Sequence, residues 1–334
     1  MPKAPEKIIV SRTDSIGDVM LTLPLAGVLK QHFPSCHILF LGRKYTRPVI
    51  ECCTHADQFL DWDEISEQPP AEQKRALSSV GADTIIHVFP NRKVAFAARA
   101  AAIPLRIGTS HRIYHWTTCN SRPSFTRRRS GLHEAQLNLR LLSPLGIPTE
   151  YPLGELWNYY GFGKIKPLPG HLLSLIDPSR FNLLLHPRSK GSAREWGLNN
   201  FSRLADILPL ERFKLFITGT REEGESLGPL KQKHNVCDLT GKLSLDELIA
   251  FICAADGLVS ASTGPLHIAA ALGKKAIGIY APMRPIHPGR WMPLGSKASY
   301  LVLDKSCSAC RKNHDCACIR SIDPEQVKAE LLRA

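Results

Sequence analysis

Along most of the chain, short apolar runs alternate with segments whose apolar residues recur every three or four positions. Runs such as Ile8-Ile9-Val10 read as buried strands, and Val19 to Phe33 reads as a helix with an apolar face. In the first half, strands are predicted near 7–12, 37–42, 57–61, 83–89 and 105–108, with helices near 18–32, 45–53, 71–80, 92–102 and 133–145. In the second half, strands are predicted at 181–186, 213–218, 235–239, 257–261, 275–280 and 300–304. Helices fall at 199–208, 222–232, 244–255, 265–272 and 323–334, the third of these opening on a capping box, Ser244-Leu245-Asp246-Glu247. Such alternation predicts parallel sheets covered by helices on both faces. Two stretches break the pattern: 109–131, basic and aperiodic, reads as a mobile loop, and 148–180, rich in Pro and Gly, as a connection. The expected α/β chain has a doubly wound domain over 1–160, a linker over 161–180, a second such domain over 181–322 and a helix over 323–334.

Composition narrows this little. The 334 residues can build two cores, and 43% hydrophobic with 22% charged residues is ordinary for a soluble protein. No apolar run reaches the ~18–20 residues that span a bilayer, and the N-terminus enters a strand without a signal-peptide core, so the expected location is cytoplasmic. Charge changes the picture more. Lys and Arg number 43 against 30 Asp and Glu, a surplus of +13 that favours anionic partners: nucleic acid, phosphorylated sugars or an acidic membrane surface. Six of the ten cysteines are scattered and suit core positions as small thiols.

Four segments carry candidate chemistry. At Ser262-Thr263-Gly264-Pro265 a strand gives way to a helix, and N-cap hydroxyls, Pro in the first turn and nearby His267 make an anion site or simply a well-capped helix. After the strand 181–186 comes a loop with Arg188, Ser189, Lys190, Ser192 and Arg194, suited to a diphosphate or to solvent. Glu222 or Glu223 follows the next strand, where an acid can hold a ribose or favour a helix N-terminus. The turn Thr13-Asp14-Ser15-Ile16-Gly17-Asp18 has one glycine where a phosphate turn would have several. Asp14 or Asp18 there caps the helix, or Asp18 is a base that takes a proton from a hydroxyl nucleophile. Near the C-terminus, Cys307, Cys310, Cys316 and Cys318 surround His314, leaving a structural zinc site, free thiols and a disulfide under oxidation all open. The basic segment, with Arg112 and Arg127-Arg128-Arg129, is a solvated loop, an acceptor site for an anion, or a nucleic-acid surface with aromatic stacking residues.

Taken in order, RTDSIGDVMLTLPL (12–25), HPRSKGSAREWGLNNFSRLA (186–205) and STGPLHIAAALGKKAIGIYAP (262–282) resemble the ADP-heptose:lipopolysaccharide heptosyltransferases, glycosyltransferase family nine. The resemblance covers about 7–330. It implies a GT-B fold, two Rossmann-like domains facing across a cleft, with the acceptor on the first and the nucleotide sugar on the second. It also implies that the last helix crosses back to the first domain. Asp18 matches the general base of an inverting transfer that needs no metal or other cofactor. Ser15, Gly17, Ser189, Arg194, Glu222, Leu243, Ser262, Thr263, Gly264 and His267 match donor-binding positions. Ser262 stands where the family usually has Asp. The implied donor is a nucleotide sugar such as ADP-heptose, and the implied acceptor is an anionic lipopolysaccharide core, bound with Arg112, Arg127, Arg128 and Arg129. A peripheral place at the inner membrane, a monomeric state and no nucleic-acid partner complete the expectation. A sugar-nucleotide epimerase and a basic nucleic-acid-binding protein are the competing readings.

Overall fold

The computed structural model describes residues 4–127, 130–284, 286–303 and 316–333. They form two compact units, Met1–Lys164 and Ile165–Ala334. In the first, β1 (Lys7–Ser11), β2 (His37–Gly42), β3 (Gln58–Asp61), β4 (Thr84–His87) and β5 (Leu105–Ile107) make a sheet in the order β3-β2-β1-β4-β5. In the second, β6 (Phe181–His186), β7 (Phe213–Ile217), β8 (Val236–Asp238), β9 (Gly257–Ala261), β10 (Lys275–Tyr280) and β11 (Ala298–Val302) run β11-β10-β9-β6-β7-β8. All strand pairs are parallel, so each sheet needs helices on its faces, and the apolar runs that predicted the strands are the residues buried there. All eleven predicted strands are present, β11 two residues earlier than expected.

The helices differ more. The segment predicted as one helix over 18–32 is two, α1 (Ile16–Met20) and α2 (Leu23–His32). The break falls just before Pro24, which has no N–H to continue the ladder, and the Thr22 hydroxyl donates to the Asp18 carbonyl at 2.8 Å. Helix α3 (Arg92–Ala100) lies close to its expected span. The predicted mobile loop contains α4 (His115–Thr118) and is tied down: the His115 ring bonds the Thr109 carbonyl at 2.8 Å, and Gly108 N–H donates to Ser121 at 3.1 Å. Helix α5 (Glu134–Leu139) passes into a 3-10 segment, Arg140–Leu145.

Residues 153–164, placed partly in the linker by sequence, belong to the first unit. The 3-10 segment Leu153–Tyr159 packs on α2, where a Cβ on Gly27 would sit 2.1 Å from the Tyr159 carbonyl oxygen. In the second unit come α6 (Leu198–Ile207), α7 (Arg221–Glu225), α8 (Leu245–Ala254), α9 (Gly264–Ala271) and α10 (Pro324–Leu332). The expected helix 222–232 stops at Glu225, and a further turn begins at Gly228 ahead of Pro229. The capping box that opens α8 is formed as predicted, Ser244 accepting from Glu247 N–H at 3.3 Å.

The core of the second unit sets Leu183, Leu185, Val259 and Ile277 against Trp196, Phe201, Leu204, Val327 and Leu331. Helix α10 therefore packs on α6 and β10 of its own unit, where the sequence reading had it crossing to the first domain. The buried Trp196 indole donates to the Ile322 carbonyl at 2.8 Å and pins the approach to α10. Among the described residues no helix is long and apolar enough to cross a membrane.

Candidate active site

The turn after β1 is built around a buried cation. The side chain of Arg12 is only 3% exposed, because β1 carries it straight from the sheet under the turn. Its Nε donates to Asp14 at 2.7 Å, Nη1 to Glu134 at 3.4 Å, and Nη2 to Asp18. The other Asp18 oxygen accepts from the Ser15 hydroxyl. Asp18 is therefore not the helix cap that sequence allowed: Ser15 holds that position in an extended conformation and makes no side-chain cap bond. Burial works against the charge of Arg12, but Asp14, Asp18 and Glu134 outweigh it and hold its pKa above the usual range. Asp14 moves the other way. Burial lifts its carboxyl to about 6, with Asp18 adding to the rise and Arg12 opposing it.

Glu134, 2% exposed on α5, completes this group and also accepts from Arg127 Nε at 3.0 Å. Arg127 Nη2 donates to Asn138 Oδ1 at 2.9 Å, and Asn138 Nδ2 to the Leu21 carbonyl at 3.0 Å, so α5 is tied to the junction of α1 and α2. Sequence reasoning set Arg127 among acceptor-binding cations; the structure turns it inward instead, drawn by a carboxylate that burial would otherwise penalise. Arg112 is exposed, and Arg128 and Arg129 lie outside the described residues. Arg12 and Glu134 were missed by sequence reasoning. Their separation of 122 positions leaves no local signal beyond an Arg at a strand end.

In the second unit the corresponding loop follows β6. Lys190 (φ 49°) and Gly191 (φ 77°) turn it back on itself, and Glu195 gathers it in. One Glu195 oxygen accepts from Ser189 N–H at 3.0 Å and lies 3.2 Å from the Ser189 hydroxyl; the other takes Arg188 Nη1 at 2.8 Å. Arg194 is half-buried beside it. After β7, Thr220 and Glu223 form a capping box, with Glu223 accepting from Thr220 N–H at 2.8 Å. Glu223 is thus engaged, while Glu222 is exposed, its carboxyl held below the usual range by its own backbone N–H and the Thr220 hydroxyl. Leu243 is half-buried, two residues past Gly241, whose φ of 70° favours glycine.

At the start of α9 the expected hydroxyl cap is absent. The Thr263 hydroxyl lies 2.9 Å from Ser260 Oγ and makes no bond to the helix N–H groups. The first turn of α9, from Gly264, thus has N–H groups that no N-cap side chain takes up, the arrangement that suits an anion. Ser262 is half-buried, and His267 is 2% exposed.

Among the described residues no group of three or more His, Cys, Asp or Glu is placed to hold a metal ion. Cys316 and Cys318 are packed in the second core, and Cys307, Cys310 and His314 lie outside the described residues.

Comparison with known proteins bears on the whole chain. Lipopolysaccharide heptosyltransferase 2 of Escherichia coli K12 is 28% identical over an alignment 358 positions long, covering 97% of each chain. A family 9 glycosyl transferase from Veillonella parvula superposes with a TM-score of 0.79 at 19% identity, over 98% of this chain and 96% of that one. An E. coli heptosyltransferase solved with ADP-2-deoxy-2-fluoro heptose gives 0.67 at 15% identity, over 97% of this chain and 98% of that one. The two parallel sheets are those of the GT-B fold. The model of glycosyltransferase family 9 (heptosyltransferase) matches residues 71–318, and the chain belongs to that family of glycosyltransferases.

Proposed function

We propose that the protein transfers a heptose from ADP-heptose, with inversion, to a hydroxyl of an anionic lipopolysaccharide inner core at the cytoplasmic face of the membrane. Asp18 takes the proton from the acceptor hydroxyl as its oxygen attacks the anomeric carbon. The bond from that carbon to the diphosphate breaks in the same step, and ADP leaves with the electron pair. Negative charge growing on the diphosphate is met by Arg194, the Ser189 loop and the start of α9 at Thr263, Gly264 and His267. Ser15 and Gly17 allow the donor to approach, Glu222 takes the ribose, the backbone beside Leu243 meets the adenine, and Ser262 faces the sugar. On the acceptor side the exposed Arg112 acts with Arg128 and Arg129.

One observation carries the base assignment. Asp18 has both oxygens oriented, by buried Arg12 and by Ser15, yet spends neither on capping its helix. A carboxylate oriented in this way, with its side chain 20% exposed, supports the reading of Asp18 as the base. The donor is supported by a fold relative whose bound ligand is an ADP-heptose analogue. The test is Asp18→Asn, which keeps size and polarity without basicity. Transfer from ADP-heptose to a lipid A-core acceptor should fall about 10²–10⁴-fold in a variant that remains folded. Near-normal transfer by a folded Asp18→Asn variant would reject the mechanism.

A further inference from the structure

Between Thr84 and His133 the sequence has nine Lys and Arg and no Asp or Glu. Within this one-signed segment the structure exposes large apolar side chains. Ile113 is 91% exposed, Trp116 62% and Phe96 42%. Helices α3 and α4 pack against each other, so the two that present Phe96 and Trp116 are neighbours. The exposed face of α3 sets Arg92, Lys93 and Arg99 around Phe96, with the Arg92 guanidinium 5.5 Å from the ring centre. Arg122 lies 4.8 Å over the Trp116 ring, and Arg112 directly precedes Ile113.

This apolar tip is held out rather than left loose. The Trp116 indole donates to the Ser110 carbonyl at 3.1 Å, and beneath it His115 is buried and bonded to Thr109. Presenting isoleucine and tryptophan to water is unfavourable, and the fold fixes them there with a collar of cations.

We infer that this surface docks on an anionic lipid bilayer, Ile113 and Trp116 entering the headgroup region while the arginines meet lipid phosphates. The inference rests on the proposed glycolipid acceptor, which a bilayer would present. An amphipathic indole with a satisfied N–H suits the interface between headgroups and acyl chains. Neither signal alone anchors a protein stably, whereas apolar insertion and a basic cluster together do. The absence of acids across the segment gives the patch a single sign, which a surface of anionic headgroups matches at every point, and the exposed apolar tip among the cations suits the acyl boundary beneath them.

The test uses the full-length protein and sedimentation with vesicles, either of phosphatidylcholine or of phosphatidylcholine with phosphatidylglycerol. Wild type is expected to bind the anionic vesicles at least about tenfold better. Ile113→Ser with Trp116→Ser should lose about tenfold, and Arg92→Ala with Arg99→Ala a similar amount. Only binding driven by charge should disappear as salt rises from about 0.1 M to about 1 M. Transfer to a delipidated core oligosaccharide should be unchanged in both variants, whereas transfer to vesicle-borne acceptor falls. That pair of assays separates this inference from the proposed function: Asp18→Asn should bind vesicles normally yet fail in both transfers. Vesicle binding that is absent in wild type, or unaltered by the Ile113 and Trp116 changes, would overturn the docking surface. So would sedimentation velocity showing a dimer that those changes dissociate, since a second copy would then cover the patch.

Discussion

The loops after β1 and β6 follow central strands of their two sheets, and they are organised with opposite charge. After β1 a buried cation, Arg12, gathers Asp14, Asp18 and Glu134. After β6 a carboxylate, Glu195, gathers Arg188 and the Ser189 backbone and hydroxyl. In each case the central group has the sign opposite to the groups it leaves at the surface. A nucleotide-binding turn usually obtains this order from glycines and backbone N–H groups. Here side-chain ion pairs do that work, so the same strand-to-loop geometry can present carboxylates in one unit and cations in the other.

The sharpest way to break the comparison is to remove its buried member. Arg12→Met should cost about 3 kcal/mol in urea unfolding, because buried Glu134 loses one of its cationic partners and Asp14 and Asp18 lose theirs. Adding Glu134→Gln should recover part of that loss, and a purely additive double variant would show that the pair is not coupled. Transfer activity should fall in both, since Asp18 loses its orienting partner.

A smaller effect is expected opposite. Glu195→Gln can still accept one hydrogen bond but no longer balances Arg188. The KM for ADP-heptose should rise about tenfold, kcat should change little, and stability should drop by about 1 kcal/mol. An unchanged KM would mean that the loop keeps its shape without the carboxylate.

The smallest effect concerns pH. Burial lifts the Asp14 carboxyl to about 6, so folding takes up a proton there. The stabilisation from this group is complete below about pH 4 and is lost as pH rises through about 6. In Asp14→Asn that pH term vanishes. The stability of wild type relative to the variant should therefore decline across that window and then level off. A parallel pair of stability–pH curves would place the titration elsewhere.

Much of the fold was legible because parallel strands buried on both faces must be apolar throughout, and each such run stood out. Helix ends were less so. The apolar period from Val19 to Phe33 passes through Leu21 and Thr22 without a break, and only the backbone requirement at Pro24 divides it. The segment 109–131 looked mobile because its order comes from single polar bonds, such as His115 to Thr109, which leave no period in the sequence. In the candidate site, Asp18 and the residues after β6 and β9 could be picked out by their place at strand ends. Their organisers could not: Arg12 meets Glu134 across 122 positions, and Glu195 resembled any acid ahead of a helix. The engagement of Glu223 in a capping box was legible too, as the local pattern Thr220-Arg221-Glu222-Glu223.

The close seat of Tyr159 against Gly27 has a practical consequence for dissecting the enzyme. A fragment ending near 150, where the helices of the first sheet are complete, would strip α2 of its cover and bare a groove shaped for a backbone. Buried Tyr160 and the Thr54 N–H bond to Gly161, at 2.7 Å, would be lost with it. The natural cutting point is after Lys164, and exchanges of whole halves between family members should be joined there.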